Sequence, residues 1–193
     1  MSLSNYHQKY ANQDENEIQR RIDAKEEELA AIFNEVKLNT KNDSIKLAVL
    51  GCGDKRFING HKEIFEKVLN KKVDVFTFDI TTDHLDGEKN VFKHDCTLEI
   101  PNSPYDITYA HVLLKFIETN KQFDIILNSY KALNIGGIAI HVFDNEEIES
   151  KEIKLSESLY SVPILKYKEE LDKLNIKYKE IKLKYGPAIV LIK

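Results

Sequence analysis

The chain has 193 residues and a formal net charge of −4, with 42% hydrophobic and 31% charged residues. This length fits a single domain, and the composition is that of an ordinary globular protein. The sequence shows no apolar run of membrane-spanning length and no signal-peptide pattern, and its 2 cysteines are too few for a disulfide framework. We therefore expect a cytoplasmic protein that does not bind a membrane.

Charge is distributed unevenly along the chain. Residues 45–150 carry 12 basic and 17 acidic side chains, whereas residues 151–193 carry 10 and 6. A nucleic-acid groove needs a concentrated basic face, so this distribution argues against nucleic acid as a partner. No Cys/His cluster has zinc spacing, and we predict no metal site.

A predicted helix at residues 14–37 precedes the first strand. Its apolar residues recur at helical spacing: Ile18, Ile22, Leu29, Ile32, Phe33 and Val36. We expect residues 1–44 to form a helical extension that packs on a core domain of residues 45–193; an interaction arm is the alternative. Tyr6 and Tyr10 lie before this helix, either in a loose tail or in a lid over a site.

The first strand and the loop after it indicate a ligand site. Residues 45–50 form an almost unbroken apolar run, which predicts a buried parallel strand, and Gly51-Cys52-Gly53 follows at once. Helically spaced apolar residues come next. Strand, Gly-X-Gly and helix form the first half of a nucleotide-binding unit, although Lys55 stands where the fingerprint has a third glycine. A glycine turn without a ligand is the alternative.

Three more strands follow with polar residues at their ends. Residues 73–79 predict the second strand, which ends in Asp79, where a nucleotide fold hydrogen-bonds ribose hydroxyls. The alternative role for Asp79 is to cap a turn. Residues 90–94 predict the third strand and residues 105–110 the fourth.

The second half of the chain contains two more helices and three strands. One helix is predicted from a stripe of apolar residues and ends at Gly136-Gly137. The stripe is Phe123, Ile126, Leu127, Tyr130 and Leu133. The fifth strand is predicted at residues 138–143, and a helix at residues 162–174. The last two strands, at residues 176–184 and 188–192, are joined by a turn so short that they must be antiparallel.

In this order, the motifs resemble those of the Rossmann-like (class I) S-adenosylmethionine-dependent methyltransferases over residues 45–192. The resemblance implies a three-layer α/β fold with about seven strands, mainly parallel with the last strand antiparallel. It also implies S-adenosylmethionine as the cofactor and methyl transfer as the activity. Because the chain has no inserted acceptor domain, we expect a small-molecule acceptor. The sequence indicates neither the acceptor's identity nor an oligomeric state.

The resemblance also implies which residues contact the cofactor. The first motif passes the methionine part of the cofactor and matches Gly51, Cys52 and Gly53. Asp79 matches the acid that holds the ribose hydroxyls, and Ile80 is placed to pack on adenine. Asp95 matches the acid that accepts from the adenine amino group, and the backbone amide of Cys96 meets the ring.

The end of the fourth strand faces the reactive methyl group in the family that the chain resembles. There the resemblance assigns Tyr109 and Ala110 to the cofactor pocket. His111 directly follows the predicted strand and is the candidate catalytic base. A histidine that only shapes the pocket is the alternative.

Two positions depart from the family's pattern. The family usually has an acid where Val49 stands and a third glycine where Lys55 stands. The amino end of the cofactor is then held by backbone carbonyls and Asp54, or the cofactor binds weakly. These departures motivate a second hypothesis, a degenerate methyltransferase fold that serves as a binding or scaffold subunit. A nicotinamide-dependent oxidoreductase is the third.

Overall fold

The structure, a computed structural model, describes residues 12–145, 154–156 and 159–193, so the predictions for Tyr6 and Tyr10 lie outside the described residues. The helices are α1 (Glu15–Glu35), α2 (Arg56–Leu69), α3 (Thr119–Lys131) and α4 (Ile164–Lys173). The strands are β1 (Ser44–Leu50), β2 (Lys72–Asp79), β3 (Val91–Lys93), β4 (Tyr105–His111), β5 (Leu133–Val142), β6 (Lys154–Ser156), β7 (Leu159–Tyr160), β8 (Lys177–Lys182) and β9 (Pro187–Ile192).

Seven strands form one sheet in the order β3-β2-β1-β4-β5-β9-β8. Each pair from β3 to β5 is parallel, whereas β9 is antiparallel to both of its neighbours, β5 and β8. The strand β8 therefore runs with the parallel strands, and the last strand of the chain is the reversed one. The predicted α/β fold, mainly parallel with the last strand antiparallel, is confirmed. Strands β6 and β7 form a separate two-stranded antiparallel sheet that the sequence analysis did not predict.

Helices cover both faces of the sheet, which explains the unbroken apolar run of β1. On one face Leu47 belongs to a buried cluster with Leu29 of α1 and Phe65 of α2. On the other face Leu50 belongs to a cluster with Ile125 of α3 and Tyr167 of α4. Successive side chains of a strand point to opposite faces, so a strand between two helical layers needs apolar residues at every position.

Helix α1 begins with a side-chain cap and packs closely on α2. The carboxylate of Asp14 accepts a hydrogen bond from the backbone amide of Glu17 at 2.8 Å, which satisfies one of the free amides of the first turn. Further along, Gly60 of α2 faces Ile22 of α1: a β-carbon on Gly60 would lie 2.9 Å from Ile22 Cδ1. The absent side chain lets the two helices approach.

The predicted end of the helix before β5 is wrong. Helix α3 ends at Lys131, and Leu133 already pairs with Tyr105 in the ladder between β4 and β5. Gly136 lies inside β5 with φ of +83°, and a β-carbon there would overlap the carbonyl oxygen of Asn39. Glycine is therefore needed at this position for a close backbone approach within a strand, and not to end a helix.

Strand β5 correspondingly begins at Leu133 and not at the predicted residue 138. The remaining helix and strand boundaries differ from the predicted ones by one or two residues. This shift is ordinary for element ends, which fray and depend on contacts that a local pattern does not contain. Within the described part of the chain, no helix is both long enough and apolar enough to cross a membrane.

Candidate functional site

The loops that follow β1, β2, β3 and β4 lie at one edge of the sheet, because these strands are parallel and share their carboxyl ends. Open α/β sheets bind ligands at this edge. Most of the site residues predicted from the sequence belong to these loops or to the last residues of the strands before them.

Gly51 makes the sharp turn out of β1. Its φ is +76°, and its amide donates a hydrogen bond to the carbonyl oxygen of Phe78 at 2.7 Å. A β-carbon at this position would lie 2.8 Å from Leu113 Cδ1, because the chain after β4 passes directly over the turn. Both the backbone conformation and the close neighbour favour glycine.

Asp79 binds the glycine loop. Its Oδ2 accepts from the backbone amide of Cys52 at 2.8 Å, and its Oδ1 accepts from the amide of Thr81 at 3.0 Å. Only 7% of the residue is exposed. The turn-capping role and the contact with the first motif therefore occur together in one carboxylate, which joins the end of β2 to the loop after β1.

His84 binds the next peptide group of the glycine loop, between Cys52 and Gly53. Its Nε2 lies 2.6 Å from the carbonyl oxygen of Cys52, and since a carbonyl only accepts, Nε2 carries the proton. The amide and the carbonyl of Cys52 are thus fixed by Asp79 and His84 respectively. The sequence analysis missed His84, which lies in a short helical turn, Asp83–Leu85, that follows β2.

The two cysteines are neutral thiols. Both are buried and free, and burial raises the pKa of Cys52 and that of Cys96 to about 12. A neutral, buried thiol is neither a nucleophile nor a metal ligand. Among the residues that the structure describes, no group of three or more His, Cys, Asp and Glu side chains is placed to hold a metal ion.

The two positions that depart from the family's pattern have different surroundings. Val49 is buried in the hydrophobic cluster beneath α1 and α2, and this environment favours an apolar side chain. Lys55 is exposed and precedes α2 without making a side-chain cap. Because Lys55 is exposed, water and salt screen its effect on a ligand at the loop.

The carboxylate of Asp54 binds the side chain of Arg56. The guanidinium donates to the carboxylate through Nε at 2.8 Å and through a terminal nitrogen at 2.8 Å, and the same carboxylate accepts the Arg56 backbone amide. Burial opposes ionisation of Asp54, but these hydrogen bonds outweigh it and keep the pKa below its usual value. Arg56 also donates to the carbonyl of Gln13 and to Glu15, so it ties the start of α1 to the loop.

The loop after β3 brings Asp95 and Cys96 to the same edge. Asp95 Oδ1 accepts from the amide of Thr97 at 2.9 Å and from its hydroxyl at 2.7 Å, and these bonds lower the pKa of Asp95. The amide of His94 donates to the carbonyl of Asp79 at 2.8 Å, which joins this loop to the end of β2. Beside Asp79, Ile80 is 62% exposed, so its apolar side chain is open to solvent at this edge of the sheet.

Tyr109 and Ala110 lie beneath the edge, in the core. Tyr109 packs between Phe65 and His61 of α2, with ring centroids 5.3 Å and 5.6 Å away, and Ala110 belongs to the cluster on the opposite face. The Tyr109 hydroxyl and both His61 nitrogens are buried with no hydrogen-bond partner among the described residues. Burial, aided by the charge of Lys25, keeps the pKa of His61 well below its usual value.

His111 is held by two side chains of α1. Its Nε2 lies 2.9 Å from Glu28 Oε2, and its Nδ1 lies 2.9 Å from the Nζ of Lys25. Burial and the Lys25 charge lower the pKa of His111 to about 4, so the ring is neutral at pH 7. A neutral ring between a carboxylate and an ammonium has one consistent arrangement: Nε2–H donates to Glu28, and Nδ1 accepts from Lys25.

The residue after His111 has an unusual backbone. Val112 has φ of +54°, a conformation that β-branched residues rarely adopt, and its amide donates to the carbonyl of Val142 at 2.9 Å. This turn directs Leu113 over Gly51. Strained backbone of this kind concentrates at functional sites.

Lys25 and Glu28 are site residues that the sequence analysis missed. It named the apolar residues of α1 and assigned no role to its charged residues. The spacing held the necessary signal, because position 25 continues the apolar series 18, 22, 29 and 32 at steps of three and four. A lysine within such a stripe indicates a charge that faces the core and needs a partner.

The sequence matches no protein-family model and no curated protein. Solved structures share its architecture. The sugar N-methyltransferase KedS8 from Streptoalloteichus sp ATCC 53650 matches with a TM-score of 0.63 and 9% identity, over 93% of each chain. An S-adenosylmethionine-dependent methyltransferase from Clostridium acetobutylicum ATCC 824 matches with a TM-score of 0.62 and 12% identity, over 97% of this chain and 98% of that one.

The chain has the class I methyltransferase fold. A third similar structure, the DhpI complex with S-adenosylhomocysteine (SAH), has a TM-score of 0.56 and 14% identity, over 90% of this chain and 86% of that one. The suspected family resemblance is thereby confirmed as a resemblance of fold. At these identities the methyltransferase fold is what the structures have in common. The chemistry at the carboxyl edge of the sheet depends on this chain's own residues.

Proposed function

We propose that this protein binds S-adenosylmethionine and transfers its methyl group to a small acceptor. The observation that carries the proposal is the contact between Asp79 and the Cys52 amide of the glycine loop, at the carboxyl edge of a sheet with a reversed last strand. Similar structures support it: one is a sugar N-methyltransferase, and another is a complex with S-adenosylhomocysteine.

The residues at the edge fit such a cofactor. Gly51 and Gly53 offer the methionine part a backbone without side chains. Asp79 Oδ2 accepts from the Cys52 amide and keeps a lone pair for a ribose hydroxyl, whereas Oδ1 accepts from the amide and, at 3.5 Å, from the hydroxyl of Thr81. The exposed Ile80 provides an apolar surface for adenine, which explains why it is not covered by the protein. In this proposal Asp95 and the Cys96 amide bind the polar edge of the adenine.

The amino end of the cofactor has a different environment from the one the family usually offers. Asp54 is paired with Arg56, and Val49 is buried in the core. In this proposal backbone carbonyls of the glycine loop accept from the ammonium group. Tyr109 and Ala110 lie beneath the loop, so they shape the floor of the pocket more than they touch the ligand.

S-adenosylmethionine supplies an electrophilic methyl group on a sulfonium. The protein's part is to hold the acceptor in line with that group and to exclude water, since positioning provides most of the acceleration in such a reaction. We place the acceptor beside His111, at the end of β4. His111 is neutral, and Glu28 and Lys25 hold its two ring nitrogens, so the ring can shape the acceptor side of the pocket without carrying a charge towards the sulfonium.

The experiment is a ligand screen by thermal unfolding, followed by calorimetry. S-adenosylmethionine and S-adenosylhomocysteine should stabilise the protein, by about 2.7 kcal/mol at 100 times the dissociation constant, and NAD⁺ and NADH should not. Asp79→Ala should lose roughly 1.5–3 kcal/mol of S-adenosylhomocysteine binding per charged hydrogen bond removed. His111→Ala should bind S-adenosylhomocysteine nearly as well as the wild type.

The matched control is Asp86→Ala, which removes an exposed carboxylate a few residues beyond Asp79. Folding of every variant is checked by circular dichroism. Stabilisation by the nicotinamides alone would make the protein an oxidoreductase. A folded protein that neither sulfur ligand stabilises at millimolar concentration would be a binding or scaffold subunit. If Asp79→Ala binds as tightly as wild type, the cofactor does not lie on Asp79.

A further inference from the structure

Lys25 brings a cation into the candidate site from helix α1. The residue is half-buried, its ammonium lies 2.9 Å from Nδ1 of His111, and it lies 5.4 Å from the centroid of the Phe57 ring. These neighbours come from β4 and α2, so the lysine bridges the elements on both sides of the glycine loop. A lysine on a solvent-exposed helix face extends its ammonium group into water and is not enclosed in this way.

The surroundings of Lys25 stabilise its positive charge only weakly. The titratable groups that act on it or on its partner are Glu28 and Arg21 of α1, Cys52 of the glycine loop, His111 of β4, Lys115 after β4 and His61 of α2. Burial lowers the pKa of Lys25 to about 8, although the carboxylate of Glu28 acts in the opposite direction. Both histidines are neutral, and Glu28 is the only carboxylate in this group.

His111 has no free lone pair in this arrangement. Its Nε2–H donates to Glu28, and its Nδ1 accepts from the ammonium of Lys25. A histidine held in this way cannot accept a proton from a methyl acceptor while Lys25 is charged. The group beside it that can gain and lose a proton near neutral pH is the lysine itself.

We propose that Lys25 is the proton acceptor of this site, losing its proton when the cationic cofactor binds and regaining one from the methyl acceptor. This inference rests on the proposed function. With Lys25 neutral, one of its N–H groups still donates to Nδ1 of His111, and its lone pair is available. The acceptor atom attacks the methyl carbon, the bond from that carbon to sulfur breaks, and its electron pair stays on sulfur. The acceptor's proton passes to Nζ of Lys25.

Charge balance gives the physical reason. The sulfonium and the Lys25 ammonium are both cations, and Glu28 supplies one negative charge for the pair. Two cations in a half-buried site repel each other strongly, so binding of one favours loss of the other's charge. After transfer the sulfur is neutral and the ammonium has re-formed, so the single positive charge has moved from ligand to protein.

The test counts protons during binding. Calorimetric titrations at pH 7 in buffers of different ionisation enthalpy measure how many protons are released per ligand bound. Because the pKa of Lys25 is about 8, roughly nine in ten molecules carry this proton at pH 7. S-adenosylmethionine should therefore release close to one proton more from wild type than from Lys25→Met. S-adenosylhomocysteine, which is uncharged at sulfur, should show no such difference.

Two further variants sharpen the test. The matched control is Lys62→Met, which removes an exposed lysine from α2 and should release protons as wild type does. Lys25→Arg keeps the charge but cannot lose it, so it should weaken S-adenosylmethionine at least tenfold more than S-adenosylhomocysteine. The ligands' own α-amino groups titrate in the same range and cancel between variants.

The outcomes separate the two proposals. If both ligands bind wild type but the release matches that of Lys25→Met, the role of Lys25 is overturned and the methyltransferase function is not. If Lys25→Met does not fold, Lys25→Arg decides: equal weakening of both ligands overturns the proposal. Failure of both ligands to bind wild type overturns the proposed function, and this inference with it.

Discussion

Gly51 meets two separate constraints, one from its backbone and one from its neighbour. The φ of +76° disfavours any residue with a β-carbon, and Leu113 Cδ1 lies too close to the position that this β-carbon would take. The first constraint belongs to the turn out of β1. The second belongs to the backbone of Val112, which turns the chain after β4 over the loop.

Gly51→Ala tests how much the second constraint adds. Gly87→Ala is the matched control, because Gly87 has φ of +87° and nothing within 4 Å of a β-carbon. The control should lower the free energy of unfolding by about 1–2 kcal/mol, the cost of a left-handed conformation with a β-carbon. Gly51→Ala should cost more, and Leu113→Ala in the same chain should recover the excess. Urea unfolding measures the free energy of unfolding of all three variants. Equal losses at the two glycines would mean that the Leu113 side chain moves aside at no energetic cost.

The residues that sequence patterns revealed are those next to the ends of strands. Gly51 and Asp79 follow apolar runs, and the spacing of the strands was enough to bring them to one edge. Lys25 and Glu28 are different, since their partner His111 is 86 residues from Lys25 and 83 from Glu28. No local pattern specifies which helix covers the end of β4, although the buried stripe of α1 marks position 25 as facing inward.

At the scale of elements, α1 is fixed to the site from two ends. Arg56 donates to the carbonyl of Gln13 and to Glu15 at its start, and the pair of Lys25 and Glu28 binds His111 further along. Between them, Gly60 sets how closely α1 approaches α2. The position of α1 therefore controls the geometry around His111.

Gly60→Ala separates helix propensity from helix packing. Alanine is favoured over glycine in a helix by about 1 kcal/mol, but its β-carbon would lie 2.9 Å from Ile22 Cδ1. In wild type the substitution should therefore stabilise less than that, or destabilise. In an Ile22→Ala background, where the obstructing atoms are absent, it should stabilise by about 1 kcal/mol. A double-mutant cycle by urea unfolding gives both values, and the same effect in both backgrounds would show that α1 moves aside without cost.

The boundary between α3 and β5 shows where element prediction from sequence ends. Leu133 continues the helical stripe of α3, so a local pattern extends the helix to Gly136. In the structure, the Tyr105 amide donates to the carbonyl of Ala132 at 2.8 Å, and Leu133 pairs with Tyr105. These contacts come from a strand that lies nearly thirty residues earlier in sequence, and tertiary pairing overrides local periodicity here.

At the scale of the whole molecule, neutral histidines are buried on both faces of the sheet. His61 and His111 lie on the side of α1 and α2. His141 of β5 lies on the side of α3, where its Nε2 is 2.7 Å from the hydroxyl oxygen of Ser129. Burial lowers the pKa of His111 and that of His141 to about 4, and that of His61 well below its usual value. The folded state therefore excludes protons that the unfolded chain takes up.

Stability should consequently fall with pH below about 6.5. The unfolded chain binds a proton at each histidine near pH 6.5, whereas the folded protein does so only near pH 4 or lower. Because the unfolded state holds more protons in this window, the free energy of unfolding rises with pH, by up to about 1.4 kcal/mol per pH unit for each histidine. Their stabilising contribution is complete above pH 6.5 and is lost as pH falls towards 4.

Urea unfolding at pH 7.5, 6.0 and 5.0 measures this slope directly. His141→Gln should lower stability at every pH, because Gln fits the site less well. It should also reduce the slope between pH 6.0 and 5.0 by about 1.2 kcal/mol per pH unit. The slope is the deciding quantity, since a packing defect shifts the curve without changing its steepness. Ser129→Ala is the matched control, because it removes the partner of His141 and leaves the histidine buried. Parallel curves for wild type and His141→Gln would mean that His141 is already charged in the folded protein.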